Sequence, residues 1–232
     1  MQAALLAAAI AATPAMAFVR VIHASPDTPP VDIYVNQIPG PGVSPAVTAL
    51  PFTQDTGYID LPTGTYDFRV TATGSTAVAL PILGANLNQN DFVTVAAINF
   101  LSNIEPLVLV DDNTIDPMNA RIRFVHASPD APNVDIRVAG GGPTLFSNVA
   151  FGENGGYVSV PGGSYDLEVF VSGTNNLALS VPGLGVENGF VYSVFAMGDV
   201  ANLEAVPFVD APSPGALGLL GAAGLLAGRR RR

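Results

Sequence analysis

A thirteen-residue segment occurs twice in this chain, and it constrains the fold more than any other feature. HASPDTPPVDIYV begins at His23 and HASPDAPNVDIRV begins at His126, and the two differ at only three positions. Matched residues continue downstream, 103 positions apart at first and 99 apart after a loop of different length. Examples of the second group are Phe52 with Phe151, Tyr58 with Tyr157, Tyr66 with Tyr165 and Asp111 with Asp210. So long a period predicts two whole domains in tandem, because solenoid repeats have periods of about 20–50 residues.

Each copy consists of short runs of alternating apolar and polar residues, separated by Gly, Pro, Asn and Asp about every eight to twelve residues. In TYDFRVTAT, Tyr66, Phe68 and Val70 fall on one face of a strand, and Asp67 and Arg69 fall on the other. Such alternation indicates strands with one buried face. The sequence therefore predicts an all-β protein with two tandem Ig-like or transthyretin-like β-sandwich domains. Each copy is near the usual size for a domain with its own core, so each is expected to fold by itself.

The first seventeen residues are small and apolar and end in Ala15-Met16-Ala17, a pattern that signal peptidases recognise. We predict a signal peptide over 1–17, cleaved between Ala17 and Phe18. No Lys or Arg precedes the apolar stretch, which favours a start codon further upstream. The alternative interpretation is a buried Ala-rich helix.

The last segment, residues 211–232, joins a Pro-containing spacer, an apolar run and four arginines. The run is short for a membrane span, since about thirteen helical residues cover roughly 20 Å of a hydrocarbon core of about 30 Å. This order of parts resembles the PEP-CTERM sorting signals of Gram-negative bacteria, with Pro212-Ser213-Pro214 where that class has Pro-Glu-Pro. The resemblance implies processing by an exosortase-like enzyme that removes the tail. The alternative is a retained short anchor, and membrane contact is expected only through this segment.

Composition restricts the partners. The chain has no cysteine, so an exported form depends on its core and not on disulfides. Between the two terminal signals, five arginines stand against nineteen acidic residues, a formal charge of −14. Nucleic acid and anionic membrane surfaces are therefore poor partners. Cations, cationic polymers, neutral glycans and other proteins remain as candidates.

The repeated HASPD motif, residues 23–27 and 126–130, has a structural interpretation. Strand alternation places His23 on the same face as Val19 and Val21, which points it toward the core, and it does the same for His126. After each histidine, proline fixes φ, and serine and aspartate can accept backbone N–H groups. The turn residues are Ser25, Pro26 and Asp27 in the first copy and Ser128, Pro129 and Asp130 in the second.

Tyr66 and Tyr165 follow Pro-x-Gly turns, the arrangement of a tyrosine corner, in which the phenol hydrogen-bonds back to the main chain. We interpret both as structural. Pro, Gly and aromatic residues also occur in sugar-binding loops, which is the alternative.

A metal site is the competing hypothesis for the repeated motif. One imidazole and two carboxylates in each copy could bind a divalent cation. The candidate ligands are His23, Asp27 and Asp32 in the first copy and His126, Asp130 and Asp135 in the second. A further acidic group at the junction of the copies, Asp111, Asp112 and Asp116, suits calcium loosely, because the central Gly and terminal Glu of an EF-hand loop are missing. A solvated linker is the alternative there.

The segment HASPD-x-P-x-VDIYV, followed by LP-x-G-x-YDF, resembles the family called domain of unknown function 4397. The resemblance implies a β-sandwich outside the cell, on secreted or surface-attached proteins, with no catalytic residues to transfer. The organisation is then a signal peptide (1–17), domain 1 (18–112), a linker (113–118), domain 2 (119–210) and a C-terminal sorting signal (211–232).

These observations predict a non-enzymatic structural or binding protein of a Gram-negative bacterium, exported to the cell surface, the outer membrane or the extracellular matrix. Exopolysaccharide or surface proteins are the expected partners, and no cofactor is expected unless calcium binds. The alternative is a calcium-dependent glycan-binding module, which the absence of Trp disfavours. A hydrolase is a remote third alternative, because Ser25 and His23 lack the Gly-x-Ser-x-Gly elbow that positions a nucleophile. No catalytic residue is predicted.

Overall fold

The computed structural model describes residues 14–211, which form sixteen β-strands and one short 3-10 turn at Leu101–Asn103. In the first copy the strands are β1 (Met16–His23), β2 (Val31–Val35), β3 (Val47–Leu50), β4 (Ile59–Pro62), β5 (Gly64–Ala72), β6 (Val78–Leu87), β7 (Phe92–Ile98) and β8 (Glu105–Val110). In the second they are β9 (Ala120–His126), β10 (Val134–Val138), β11 (Thr144–Val149), β12 (Asn154–Val160), β13 (Gly163–Val171), β14 (Leu177–Val186), β15 (Val191–Met197) and β16 (Glu204–Ala211).

Each copy is a sandwich of two four-stranded sheets. The sheet orders are β4-β1-β7-β8 and β3-β2-β5-β6 in the first copy, and β12-β9-β15-β16 and β11-β10-β13-β14 in the second. Neighbouring strands are antiparallel except for the pairs β1–β7 and β9–β15, which are parallel. The all-β prediction and the two tandem β-sandwiches are confirmed. The boundaries at residues 112 and 119 remain predictions, and they lie between the end of β8 and the start of β9.

Strands β1 and β9 are buried on both faces. Val19 and Val21 of β1 pack inside their own sandwich, whereas Ile22 packs on the opposite side against residues of the second copy. We call this second group the shared apolar cluster. Its buried members are Ile22, Ala24, Ala96, Ile98 and Leu109 of the first copy and Val125, Ala127, Phe195, Met197 and Phe208 of the second. The two sandwiches therefore stack into four layers, and each copy has, besides a core of its own, a second apolar face that is buried against the other copy.

The two predicted terminal signals fall largely outside the described residues. Of the predicted signal peptide, Met16 and Ala17 lie within β1, where they pair with Pro62 and Leu61 of β4. Cleavage before Phe18 would therefore shorten β1 by two residues. Of the predicted sorting signal, only Ala211 is described, at the end of β16. Across residues 14–211, none of the elements is a helix with the length and apolar character that a membrane crossing requires.

Candidate functional site

The histidines of the HASPD motif are fully buried and use both ring nitrogens. The backbone N–H of Ser25 donates to Nδ1 of His23 over 3.4 Å, so the proton lies on Nε2, which donates to the Pro29 carbonyl oxygen over 3.1 Å. In the second copy the corresponding distances from His126 are 3.3 Å to the Ser128 nitrogen and 3.0 Å to the Pro132 oxygen. Each imidazole is a neutral group that closes the turn after its strand.

The first aspartate of the motif holds a distant loop. A carboxylate oxygen of Asp27 accepts the backbone N–H of Leu101 over 2.6 Å, at the turn between β7 and β8. Asp130 accepts the backbone N–H of Val200 over 2.8 Å at the matching turn after β15. The sequence predicted a local turn contact for these side chains, but their partners lie 74 and 70 residues away.

The second aspartate is buried beside a bulge in the neighbouring strand. Asp32 accepts the backbone N–H groups of Ala49 and Gly74 over 2.8 and 3.1 Å. Ala49 has a φ of 52°, a left-handed conformation that is unfavourable for alanine, and the carboxylate helps to hold it. Asp135 repeats this contact with Asn148 over 2.8 Å, and that hydrogen bond contributes most to lowering the Asp135 pKa to about 2.

The structure does not gather these residues into metal sites. Within residues 14–211, no three His, Asp or Glu side chains are close enough together to hold an ion. The candidate ligands His23, Asp27 and Asp32 each bond to protein groups in different places, and His126, Asp130 and Asp135 do the same. These residues are close in sequence, but the turn between β1 and β2, and the matching turn between β9 and β10, separates them in space.

The acidic group at the junction is also dispersed. Asp112 forms an exposed ion pair with Arg121 at 2.7 Å, and that hydrogen bond is the main cause of its strongly lowered pKa. Asp116 caps the turn before β9 by accepting the backbone N–H of Met118 over 2.9 Å. Asp111 lies apart from both, buried between the two copies.

A buried ion-pair network crosses the boundary between the copies. The guanidinium of Arg20, on β1, donates to the carboxylate of Asp210, on β16, over 2.5 Å. It also donates to the hydroxyl of Thr94 over 2.8 Å and to the carbonyl oxygen of Val209 over 3.3 Å. The side chain of Arg20 is 1% exposed and that of Asp210 is 0% exposed, so the pair is shielded from water and salt. Burial, the largest single effect, lowers the pKa of Arg20, but the Asp210 carboxylate, Tyr58 and Asp111 together outweigh burial, and the pKa is raised.

The second copy makes the same contacts in return. Arg123 donates to Asp111 over 2.5 Å, to the hydroxyl of Ser193 over 2.7 Å and to the carbonyl oxygen of Val110 over 3.3 Å. Arg20 and Arg123 are matched positions of the repeat, as are Asp111 and Asp210. The two copies are therefore related by an approximate two-fold axis, and the charges of the two arginines at their interface balance those of the two aspartates.

Two tyrosines complete this network. The phenol of Tyr58 donates to Asp111 over 2.6 Å, and that of Tyr157 donates to Asp210 over 2.9 Å. Burial raises the pKa of both phenols above their usual range, so both stay protonated donors. The guanidinium carbon of Arg20 also lies 4.9 Å from the centre of the Tyr58 ring, within range of a cation–π contact. Each buried carboxylate thus has an arginine from one copy and hydroxyl donors from the other.

The two turn tyrosines bond to the main chain. The phenol of Tyr66 donates to the carbonyl oxygen of Pro62 over 2.7 Å, and that of Tyr165 donates to the carbonyl oxygen of Pro161 over 2.7 Å. This is the contact of a tyrosine corner, and it holds the turn between β4 and β5 and its counterpart between β12 and β13.

We expect the free energy of unfolding to decrease as the pH falls from about 7.5 to about 5.5. Burial lowers the pKa of His23 and His126 in the folded protein below their ordinary value of about 6.5. As the pH falls, the unfolded chain therefore binds protons that the folded chain does not bind. The contribution of the two neutral imidazoles to stability is complete above about pH 6.5 and is lost below it. Urea unfolding at the two pH values measures the difference.

The matched control is a variant with both His23→Gln and His126→Gln. These are the only histidines of the chain, so the variant should be less stable at both pH values but should lose much of the pH dependence. A wild-type protein that is equally stable at both pH values would contradict the buried neutral imidazoles.

Comparisons with known proteins give a family and two distant structural similarities. The family described as Domain of unknown function (DUF4397) matches residues 17–137 and 138–218, and the boundary between these regions falls within β10. A search of curated proteins found no match. The Bacillus anthracis TIE protein is 11% identical with a TM-score of 0.24; the match covers 80% of this chain, which spans only 34% of that one. A proposed cell adhesion protein from Bacteroides uniformis is 11% identical with a TM-score of 0.21, covering 84% of this chain and 98% of that one. TM-scores this low carry no argument about function.

Proposed function

The chain belongs to the DUF4397 family, a domain of unknown function, and from that premise we propose that it is a non-enzymatic structural or binding protein exported to the surface of a Gram-negative bacterium. The observation that carries this proposal is the use made of the repeated motif. Its histidines and aspartates bond to main-chain groups that close turns and hold loops. These contacts favour a structural role, in a fold that occurs twice, over a role in a reaction centre.

The union of the two copies also supports a structural role. A chain outside the cell that has no disulfides depends on its packing for stability. The shared apolar cluster and the buried ion-pair network join the two sandwiches across a wide area, so the tandem pair can serve as one stiff unit. Such a unit suits a display or matrix protein, in which a spacer must keep its shape.

The finer parts of the proposal concern export and partners. The apolar start, the Pro-containing spacer and the arginine tail support export followed by sorting at the C-terminus. The strongly acidic region between them supports partners such as exopolysaccharide or surface proteins, and disfavours nucleic acid.

The test is mass spectrometry of the protein recovered from its native host. We expect the chain in the surface or extracellular fraction to begin at Phe18 and to lack Arg229–Arg232. A variant in which those four arginines are replaced by serine is the control, and it should be exported without losing its C-terminal segment. Recovery of the wild-type chain uncleaved from the cytoplasm would contradict the proposal.

A further inference from the structure

The sandwich of the first copy contains an apolar cleft between its two sheets. The cleft has a volume of about 520 Å³ and opens between the edge strands β6 and β8. A second cleft of about 170 Å³ enters from the opposite edge, between β3 and β4, and the ring of Phe68 borders both. The larger volume lies in the usual range for small-molecule sites, which is about 300–1,000 Å³.

The repeat explains why the first copy is hollow, because the second copy shows how the same sandwich is filled. Larger side chains occupy matched positions there, and the largest changes are Phe124 for Val21, Phe146 for Val47, Leu184 for Ala85 and Tyr192 for Val93. All four of these larger residues are buried in one continuous apolar cluster, and the Phe124 and Phe146 ring centres lie 6.1 Å apart. In the first copy the core is divided into two clusters.

At other matched positions the first copy has the larger side chain, but these residues fill only part of the volume that the second copy fills. Phe68 stands where the second copy has Leu167, and a few positions carry one extra methylene in the first copy, such as Leu87 for Val186. Protein interiors are normally packed without voids larger than a water molecule, since an empty apolar space forfeits dispersion contacts. A cleft at positions where the matched copy has larger side chains is therefore a feature that a ligand could explain.

The walls and the mouth of the cleft differ in chemistry. The walls are aliphatic apart from Phe68, and Val108 and Val110 on β8 extend the apolar surface to the mouth, where they are 55% and 78% exposed. Asn86 and Asn88 lie at the mouth. Both asparagines also line a shallow polar depression of about 640 Å³, together with Thr63, Thr65 and Gln89.

Among the described residues 14–211, no arginine lines the cleft or the depression, and the one charged lining residue is Asp91. That carboxylate already accepts the backbone N–H of Asn88 over 2.7 Å. An anionic head group would therefore find no cationic partner at the mouth, whereas hydroxyl groups could bond to the threonine and amide side chains there. The chemistry matches an aliphatic chain that carries a neutral, hydroxyl-rich head.

We propose that the cleft of the first copy binds the aliphatic chain of a neutral glycolipid-like amphiphile, with the sugar head over the polar depression. This site adds a ligand class to the proposed surface protein. It does not rest on export or on the sorting signal, so its failure would leave the proposed function intact.

The test is calorimetric titration of the full chain with decyl glucoside below its critical micelle concentration. We expect saturable binding at one site. Sodium decanoate and decyltrimethylammonium, which carry the same chain with charged heads, are the comparison ligands. Decanoate should bind at least tenfold more weakly. Equal binding of decanoate, or tighter binding of decyltrimethylammonium than of the glucoside, would overturn the assignment of a neutral head, and no binding of the glucoside would overturn the site.

The location is tested by giving the first copy the residues of the second. Ala85→Leu and Val93→Tyr should each fill the cleft, weaken binding of the glucoside at least tenfold and leave the thermal midpoint unchanged or higher. Val78→Thr, at an exposed apolar position of β6 that does not line the cleft, is the matched control and should bind as the wild type does. If Val93→Tyr fails to fold, Ala85→Leu alone decides. Wild-type affinity in a folded filling variant would place binding elsewhere and overturn the proposal.

Discussion

Replacing Arg20 with leucine is expected to lower the free energy of unfolding by about 3–5 kcal/mol, the usual cost of removing one partner of a buried ion pair. The substitution leaves the Asp210 carboxylate buried with only the hydroxyl donors of Ser193 and Tyr157 and the more distant Arg123, at 3.7 Å. The loss is costly because the carboxylate stays out of water without its nearest opposite charge. Urea or thermal unfolding of the full chain measures the loss.

The control is Arg69→Leu, which breaks the partly exposed ion pair with Asp67, 3.0 Å away. That pair is open to water, so its loss should cost about 1 kcal/mol or less. A double variant, Arg20→Met with Asp210→Leu, removes both charges and should recover part of the stability lost by Arg20→Leu, since paired buried charges can be replaced by apolar groups. If Arg20→Leu were as stable as the Arg69 variant, the network would have no energetic role.

The strands and their inward faces could be predicted because a β-strand alternates with a strict period of two. The segment TYDFRVTAT, residues 65–73, is predicted to be a strand, and β5 covers all of it except the last residue. In β5, Phe68 and Val70 are buried on the face that alternation assigned to the core. Local turn chemistry was readable for the same reason: a tyrosine corner needs only residues four positions apart.

Strand alternation does not predict the shared apolar cluster, because it assigns one face of each strand to the core and leaves the other to solvent. A signal was present in β7, FVTVAAI, and in β15, VYSVFAM, which are almost continuously apolar. Such runs are typical of strands that are buried on both faces. The matched arginines are a second signal, because each lies within an apolar strand, where a charge needs an oppositely charged partner. Since the arginines recur at matched positions of the repeat, their partners are expected at matched positions as well.

The partners of the motif aspartates could not be predicted, for a physical reason. Asp27 reaches Leu101 because β1 and β7 lie side by side in one sheet, and that pairing is set by the whole topology. Nearness in sequence suggested instead that His23, Asp27 and Asp32 form one site. A turn and the start of β2 separate them, and each side chain bonds to a different main-chain group.

The second large effect is expected when the copies are separated. Residues 18–112, expressed alone, would expose their half of the shared apolar cluster, including Ile22, Ile98 and Leu109. Arg20 would also lose Asp210, and Asp111 would lose Arg123. We therefore expect no stable monomer at working concentrations, in contrast to the independent folding that domain size predicts.

The approximate two-fold axis determines what should form instead. Because each copy contributes an arginine and an aspartate at matched positions, a second molecule of the same fragment can supply Asp111 to Arg20 in place of Asp210, and the apolar halves meet as in the full chain. An interface in which the same surface meets itself favours a closed dimer.

Sedimentation equilibrium should show a dimer, and its unfolding midpoint should rise with protein concentration, because dimer stability depends on protomer concentration. The Asp111→Ala fragment should lose the dimer, while Asp67→Ala, on the exposed side of β5, should keep it. A fragment that unfolds cooperatively as a monomer at every concentration would show that the interface holds two finished domains together and contributes nothing to the folding of either.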